Sequence, residues 1–237
     1  MLYNRTGGAL QVLAVNTLGV LYIAERGQSV QSVADLAGKT IYSAGKGSTP
    51  EYALNYILTS NGLIPGRDVT IEYKAEHAEC LAALMGNPEA VAMLPQPFIT
   101  TALTKSEDMR VALDLTAEWD KLQQGSSDAS SMITGVVVAR SAFVSENPEA
   151  VSRFLADYAA SVAYVQQNVP EAALLVGNYG IVTAEVAEKA LPSCNIVCIT
   201  GEEMQNKLSG YLEVLFNQNP DAVGGKLPDA QFYYTAG

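Results

Sequence analysis

Residues 38–58 read GKTIYSAGKGSTPEYALNYIL. The stretch opens on Thr40 to Ala44, a short run that predicts a strand, and passes through a glycine loop into a helix. Ser48 and Glu51 stand at capping-box spacing, Pro50 sits in the first turn where its missing N–H costs nothing, and Gly62 supplies the stop. Ala53, Leu54, Ile57 and Leu58 form one apolar stripe at the helical period.

Outward from this unit the chain alternates. Downstream come a strand at 69–73 (VTIEY), a helix at 78–86 (AECLAALMG), a strand at 90–95 (AVAMLP), a helical turn from Gln96, and a strand at 110–115 (RVALDL). Strands alternating with helices predict a parallel α/β sheet with right-handed crossovers. Upstream, residues 9–27 give two apolar, extended runs around Asn16 and Thr17, the second ending at Gly27. The run GSSDASS (125–131) predicts a loop, and MITGVVVAR (132–140) the last strand. Beyond it the pattern is helical. Asn147 and Pro148 start a helix with Val151, Phe154, Leu155, Tyr158, Val162 and Val165 at the 3.6 period; Thr200 and Glu203 box another, with Met204, Leu208, Tyr211, Leu212 and Leu215 inward. The tail at 226–237 is expected to pack over a surface.

This order predicts an α/β unit over residues 28–140 inserted into a second unit made of 1–27 and 141–237, with crossings in VLYIAERG (20–27) and TGVVVAR (134–140). The flanking pieces hold two or three strands against about four helices, so strands are expected to be missing at the N-terminus.

The 237 residues are 49% hydrophobic, enough for a sizeable core, and no stretch approaches the roughly 20 apolar residues of a membrane-spanning helix. The opening MLYNRTGGAL lacks the basic and apolar regions of a secretory signal. A formal charge of -11, with 14 scattered Lys and Arg, would repel phosphate backbones, so no nucleic-acid partner is expected. Cys80, Cys194 and Cys198 match neither a redox pair nor a zinc site; they are read as buried thiols, with a Cys194–Cys198 disulfide as the alternative.

The loop SAGKGSTPEY (43–52) is too short for a phosphate-binding P-loop, and it lacks the three-glycine dinucleotide fingerprint. What remains is a helix N-terminus, with N–H groups expected free at Ser48, Thr49 and Glu51, plus two hydroxyls, at the carboxyl edge of a sheet where ligands of open α/β folds bind. In MLPQPFITTAL (93–103), Pro95 and Pro97 stiffen the backbone so that Gln96 and Phe98 are presented at the same edge. Asn16, Thr17 and Thr134 fall near the expected crossings. No catalytic residue, metal ligand set or cofactor is predicted: the single histidine, His77, reads as a solvated residue of a first helical turn, Asp114, Glu118 and Asp120 read as solvated acids, and G-x-S-x-G is absent.

The succession GKGSTPEYAL, AVAMLPQPF, RVALDLT, TGVVVAR and NPEAVSRFLADY resembles the solute-binding proteins of ABC importers with the type II periplasmic-binding fold, nearest the nitrate, sulfonate and thiamine-precursor branch. The resemblance covers nearly the whole chain. It implies two α/β lobes with two hinge crossings, the first lobe incomplete at its N-terminus, and a small polar or anionic solute, such as a sulfonate, nitrate or aminopyrimidine, bridging the lobes. It further implies that Gly47, Ser48 and Thr49 form one ligand-contact loop, Gln96 and Phe98 the next, and Asn16, Thr17 and Thr134 a wall near the hinge. The implied partners are a small-molecule ligand and an ABC permease, at an extracytoplasmic location, with membrane contact only through a lipid anchor outside this sequence. Two other readings share the fold: the effector domain of a LysR-type regulator, against which the helical region after Pro148 argues, and a pyrimidine synthase, whose histidine- and cysteine-rich site one His77 does not match. Hydroxyls and a helix N-terminus suit an oxyacid, whereas Phe98 and Tyr52 suit a flat heterocycle, and Lys46 is the nearby cation.

Overall fold

The computed structural model describes residues 1–124 and 130–235. Of the loop expected at 125–131, Gly125 to Ala129 lie outside the described residues, as do the last two residues of the tail. In chain order the elements are α1 (Leu2–Arg5), β1 (Leu10–Leu18), β2 (Leu21–Arg26), β3 (Thr40–Ala44), α2 (Thr49–Ser60), β4 (Thr70–Lys74), α3 (His77–Gly86), β5 (Val91–Pro95), α4 (Phe98–Leu103), β6 (Met109–Asp114) and α5 (Leu115–Gln123). They continue with β7 (Ile133–Arg140), α6 (Ser141–Glu146), α7 (Pro148–Gln167), α8 (Val169–Asn178), α9 (Ala184–Ala190), β8 (Ile196–Ile199) and α10 (Gly201–Gln218). Contacts divide the chain into two compact units, one of residues 1–19, 123–172 and 195–237, the other of 20–122 and 173–194.

The second unit holds a five-stranded sheet in the order β4-β3-β5-β2-β6. β3 runs parallel to β4 and β5, but β2 enters antiparallel between β5 and β6, so the sheet is mixed rather than parallel throughout. Alternation along the strands divides the core between the faces. Tyr22, Ala24, Tyr42, Ala44, Ala92 and Leu94 pack with Cys80 and Leu84 of α3 and Ile99 of α4, while Ile23, Ile41 and Met93 are buried on the alternate side. α2 buries the expected stripe of Ala53, Leu54, Ile57 and Leu58, and the fully buried Trp119 of α5 lies against Tyr56, ring centroids 4.5 Å apart.

The first unit holds the antiparallel sheet β7-β1-β8. Its central strand buries Val12 to Val15, with Leu13 packing against Val144 and Val151. α10 contributes Met204, Leu208, Tyr211 and Leu215 to the core. The tail does more than cover a surface: Tyr233 bridges Val12 and is buried, and Tyr3 donates to Asp229 Oδ1 at 2.6 Å.

Several expectations are corrected. β2, grouped from sequence with residues 1–27, is a member of the five-stranded sheet, and β7, grouped with 28–140, pairs with β1; alternation reveals a strand but not its neighbour. Residues 196–199, overlapping the Cys194–Cys198 segment, form β8 in a region whose overall pattern reads as helical. Cys80, Cys194 and Cys198 are free thiols, the first buried. On α7 Val151 and Val162 are buried but Phe154 is exposed. Neither expected capping box forms. Ser48 Oγ donates back to the Gly45 carbonyl, Glu51 accepts from the Gly47 N–H, and Thr200 makes no side-chain cap. A short 3₁₀ turn at Val33–Leu36 instead has Ser32 N–H and Oγ donating to Asp35 at 2.8 and 3.0 Å.

Candidate functional site

In the five-stranded unit, the carboxyl ends of the parallel strands β3, β4 and β5 feed α2, α3 and α4, so the starts of three helices are collected at one edge. An open concavity of about 490 Å³ lies there, lined by Ala44, Gly45, Pro50, Ala75, Glu76, His77, Ala78 and Phe98. Helix N-termini carry partial positive charge and outward N–H groups, and the carboxyl edge of such a sheet is where ligands bind.

The loop that turns β3 into α2 needs its glycines. Gly45 has φ +84°, and a Cβ there would come within 2.9 Å of Ser48 Oγ; Gly47 has φ +75°. Of the N–H groups expected free, those of Ser48 and Glu51 are bonded, to the carbonyls of Gly45 at 3.1 Å and Ser48 at 3.0 Å, because the chain tightens into a turn before the helix begins. The Gly47 N–H donates to a carboxylate oxygen of Glu51. Lys46 Nζ stands 5.6 Å from the centroid of the Tyr73 ring. Burial first, and then the Glu51 carboxylate, raise the Tyr73 hydroxyl above its ordinary value, so it stays protonated.

Phe98 lines the concavity, as do Gly45 and Pro50 on either side of Gly47, Ser48 and Thr49, whereas Gln96 and Tyr52 are not among its lining residues. Gln96 is half-buried, its backbone N–H donating to Val20 O at 2.9 Å and its side-chain oxygen accepting from Thr100 Oγ1 at 2.8 Å. Sequence reasoning read His77 as a solvated helix residue. It is half-buried in the lining rather than solvated, its ring centroid 6.0 Å from that of Phe98 and tilted by 47°, and its Nδ1 is buried without a partner. Burial pulls its pKa below the usual 6.5, which favours the neutral ring. Two of the acids are structural: Asp114 accepts from the N–H groups of Thr116 and Ala117 at the start of α5, and Glu118 pairs with Lys121 at 2.6 Å.

In the three-stranded unit, Asn16, Thr17 and Thr134 are brought together by irregular pairing of β1 with β7. The register steps from Val15↔Val136 to Thr17↔Gly135 and then Leu18↔Ile133, leaving Asn16 and Thr134 as extra residues. Such bulges re-aim side chains out of the regular alternation. Thr134 Oγ1 donates to Leu18 O at 2.6 Å, and Thr17 Oγ1 donates to Asn16 Oδ1 at 3.3 Å. Gly135 makes the approach possible, since a Cβ there would lie 2.3 Å from Asn16 Oδ1. Among the described residues no group of three or more His, Cys, Asp or Glu could hold a metal ion, and no helix is long and apolar enough to cross a membrane.

The sequence profile of the family described as "ABC transporter, phosphonate, periplasmic substrate-binding protein" matches residues 2–190, and the chain belongs to that family. Membership makes it a substrate-binding component of an ABC transporter, a class that works with a permease and lies outside the cytoplasm. Solved structures share the fold. An ABC transporter protein from Parabacteroides distasonis has a TM-score of 0.76 at 22% identity, over 99% of this chain and 77% of that one. The periplasmic aliphatic sulphonate binding protein SsuA from Escherichia coli gives 0.76 at 20%, over 99% and 72%. The alkanesulfonate-binding protein SsuA from Xanthomonas axonopodis pv. citri, bound to MOPS, gives 0.63 at 18%, over 96% and 73%. No curated protein matches the chain.

Proposed function

We propose that this chain captures a small solute bearing an oxyacid group, a sulfonate or phosphonate, and delivers it to an ABC permease. The observation that carries the reading is the Gly47 N–H at the head of α2, which already holds an oxyanion, the Glu51 carboxylate. A backbone N–H just before a helix N-terminus can donate to a sulfonate or phosphonate oxygen on the same grounds. Lys46 adds a cation beside it, and the family profile and the sulfonate binders that share the fold agree with this ligand class. In this reading Gly47, Ser48 and Thr49 hold the acid group, and Phe98 and Gln96 the remainder of the solute.

The test is calorimetric titration with methanesulfonate, methylphosphonate, nitrate and an aminopyrimidine. At least one oxyacid is expected to bind, and Ser48→Ala with Gln96→Ala to weaken it tenfold or more without loss of melting temperature. Binding of the aminopyrimidine with none of the oxyacids would reject the assignment.

A further inference from the structure

The concavity beside the α2 loop has a composition that the acid group does not explain. Its lining contains one charged side chain, the Glu76 carboxylate, and no cation, so it repels an oxyanion rather than receiving one. The rest of the lining is small or flat: Ala44, Ala75 and Ala78 leave space, and Pro50, His77 and Phe98 present ring surfaces. The His77 and Phe98 rings are tilted by 47° with centroids 6.0 Å apart, inside the range in which aromatic rings attract one another. At about 490 Å³ the space falls within the range of small-molecule sites and exceeds what a one- or two-carbon chain fills.

We infer that this concavity receives a flat aromatic ring, so that the solute is an aryl oxyacid, an arylsulfonate or arylphosphonate, whose acid group lies at the Gly47 N–H and whose ring lies against Phe98 and His77. The inference rests on the oxyacid reading above for the acid end, and on the lining alone for the ring. His77 suits the role because burial keeps its imidazole neutral, a ring surface rather than a charge. Edge-to-face or offset contact with each of the two rings, beyond the area buried, gives an aryl ligand about a tenfold advantage over a cycloalkyl ligand of equal size.

The experiment is a calorimetric comparison of matched pairs on the full chain: benzenesulfonate against cyclohexanesulfonate, and phenylphosphonate against cyclohexylphosphonate, with the neutral rings aniline and benzamide as a third arm. An aryl preference of about tenfold is expected. It should fall to about threefold in Phe98→Ala, where only the His77 ring remains, and survive in Phe98→Tyr, with melting temperatures confirming that both fold. Equal affinity within the pairs, or a preference that Phe98→Ala leaves intact, overturns the inference while the oxyacid reading stands. Neutral rings that bind in a Phe98-dependent way where no oxyacid does would uphold the ring site and sink the oxyacid reading. No binding in any arm overturns the inference outright.

Discussion

Glu25 closes the end of β2 and is 1% exposed, so replacing it by alanine strips a buried acceptor from several donors at once. Its carboxylate accepts from the Ser29 N–H at 3.0 Å, from Ser29 Oγ at 2.7 Å and from the Val30 N–H at 3.2 Å, and it pairs with the Arg110 guanidinium. Three donors at about 1 kcal/mol each, plus a charge-assisted bond of about 2 kcal/mol, give about 5 kcal/mol. Arg110 is 31% exposed and keeps the Gly27 carbonyl at 3.1 Å, so its charge rehydrates, and we expect a net cost of about 4 kcal/mol. At about 2–4 °C per kcal/mol in a chain of this size, the melting temperature falls by about 8–16 °C. Glu25→Gln keeps one acceptor oxygen and should lose about half as much. Burial alone would raise the Glu25 carboxyl, but bonds from Ser29, Val30 and Arg110 outweigh it and hold its pKa below the usual range. The unfolded chain therefore binds the proton more readily. The stabilisation is complete above about pH 4.3, the unfolded value, and is lost as pH falls through the lowered folded value. Scanning calorimetry from pH 7 to pH 3 reads both effects. A drop below 3 °C for Glu25→Ala at pH 7, or a gap to the native chain that stays constant down to pH 3, would refute the reasoning.

Gly135→Ala places a Cβ 2.3 Å from Asn16 Oδ1 and 3.2 Å from Thr17 Cβ, so it should cost about 1–3 kcal/mol in urea denaturation, whereas Gly86→Ala, with open space, should be neutral or slightly stabilising; equal midpoints for the two would contradict the close approach. Glu51→Gln removes the resident carboxylate from the Gly47 N–H, and oxyacid affinity should rise about fivefold, for about 1 kcal/mol of repulsion relieved in a solvated setting; unchanged affinity would place the acid group elsewhere. His77 is the single histidine, so its proton NMR titration is unambiguous, and the midpoint should fall below 6.5 because burial penalises the charged ring. The linkage has a matching sign: the neutral ring's stabilisation is complete above pH 6.5, fades as pH falls through the lowered value, and is absent in His77→Gln. A midpoint at or above 6.5 would mean that the ring is solvated.

Legibility in the sequence followed from how local each cause is. The strand at Thr40–Ala44, the helix after it and its buried stripe depend on periodicity and on Pro50 and Gly62, all within a few residues, and they were readable. Phe98 was placed at the sheet edge because a strand running into Pro95 and Pro97 can only release it there. Features set by distant partners were not. The antiparallel entry of β2 between β5 and β6, and the bulges that free Asn16 and Thr134, depend on register with strands far along the chain. Ser48 and Glu51 have capping-box spacing, yet the glycines at 45 and 47 let the loop fold back, so both side chains bond to the loop instead. His77 reads as solvated because its own helix turn is polar, whereas Phe98, on another element, lies beside its ring. A ring residue opening one helix while an aromatic follows the neighbouring strand is a faint signal that could have joined them.

The placement of β1 at the centre of its sheet has a consequence for biosynthesis. Val15 pairs with Val136 on one side and with Ile199 on the other, and Val12 is bridged by Tyr233. A strand made early must therefore wait, apolar and unpaired, for neighbours translated much later, while the sheet of residues 20–122 has all its strands in hand. Loop-closure entropy makes such distant pairing slow. Pulse-labelled hydrogen exchange during refolding should protect β3 and β5 before β1, and simultaneous protection would contradict this order.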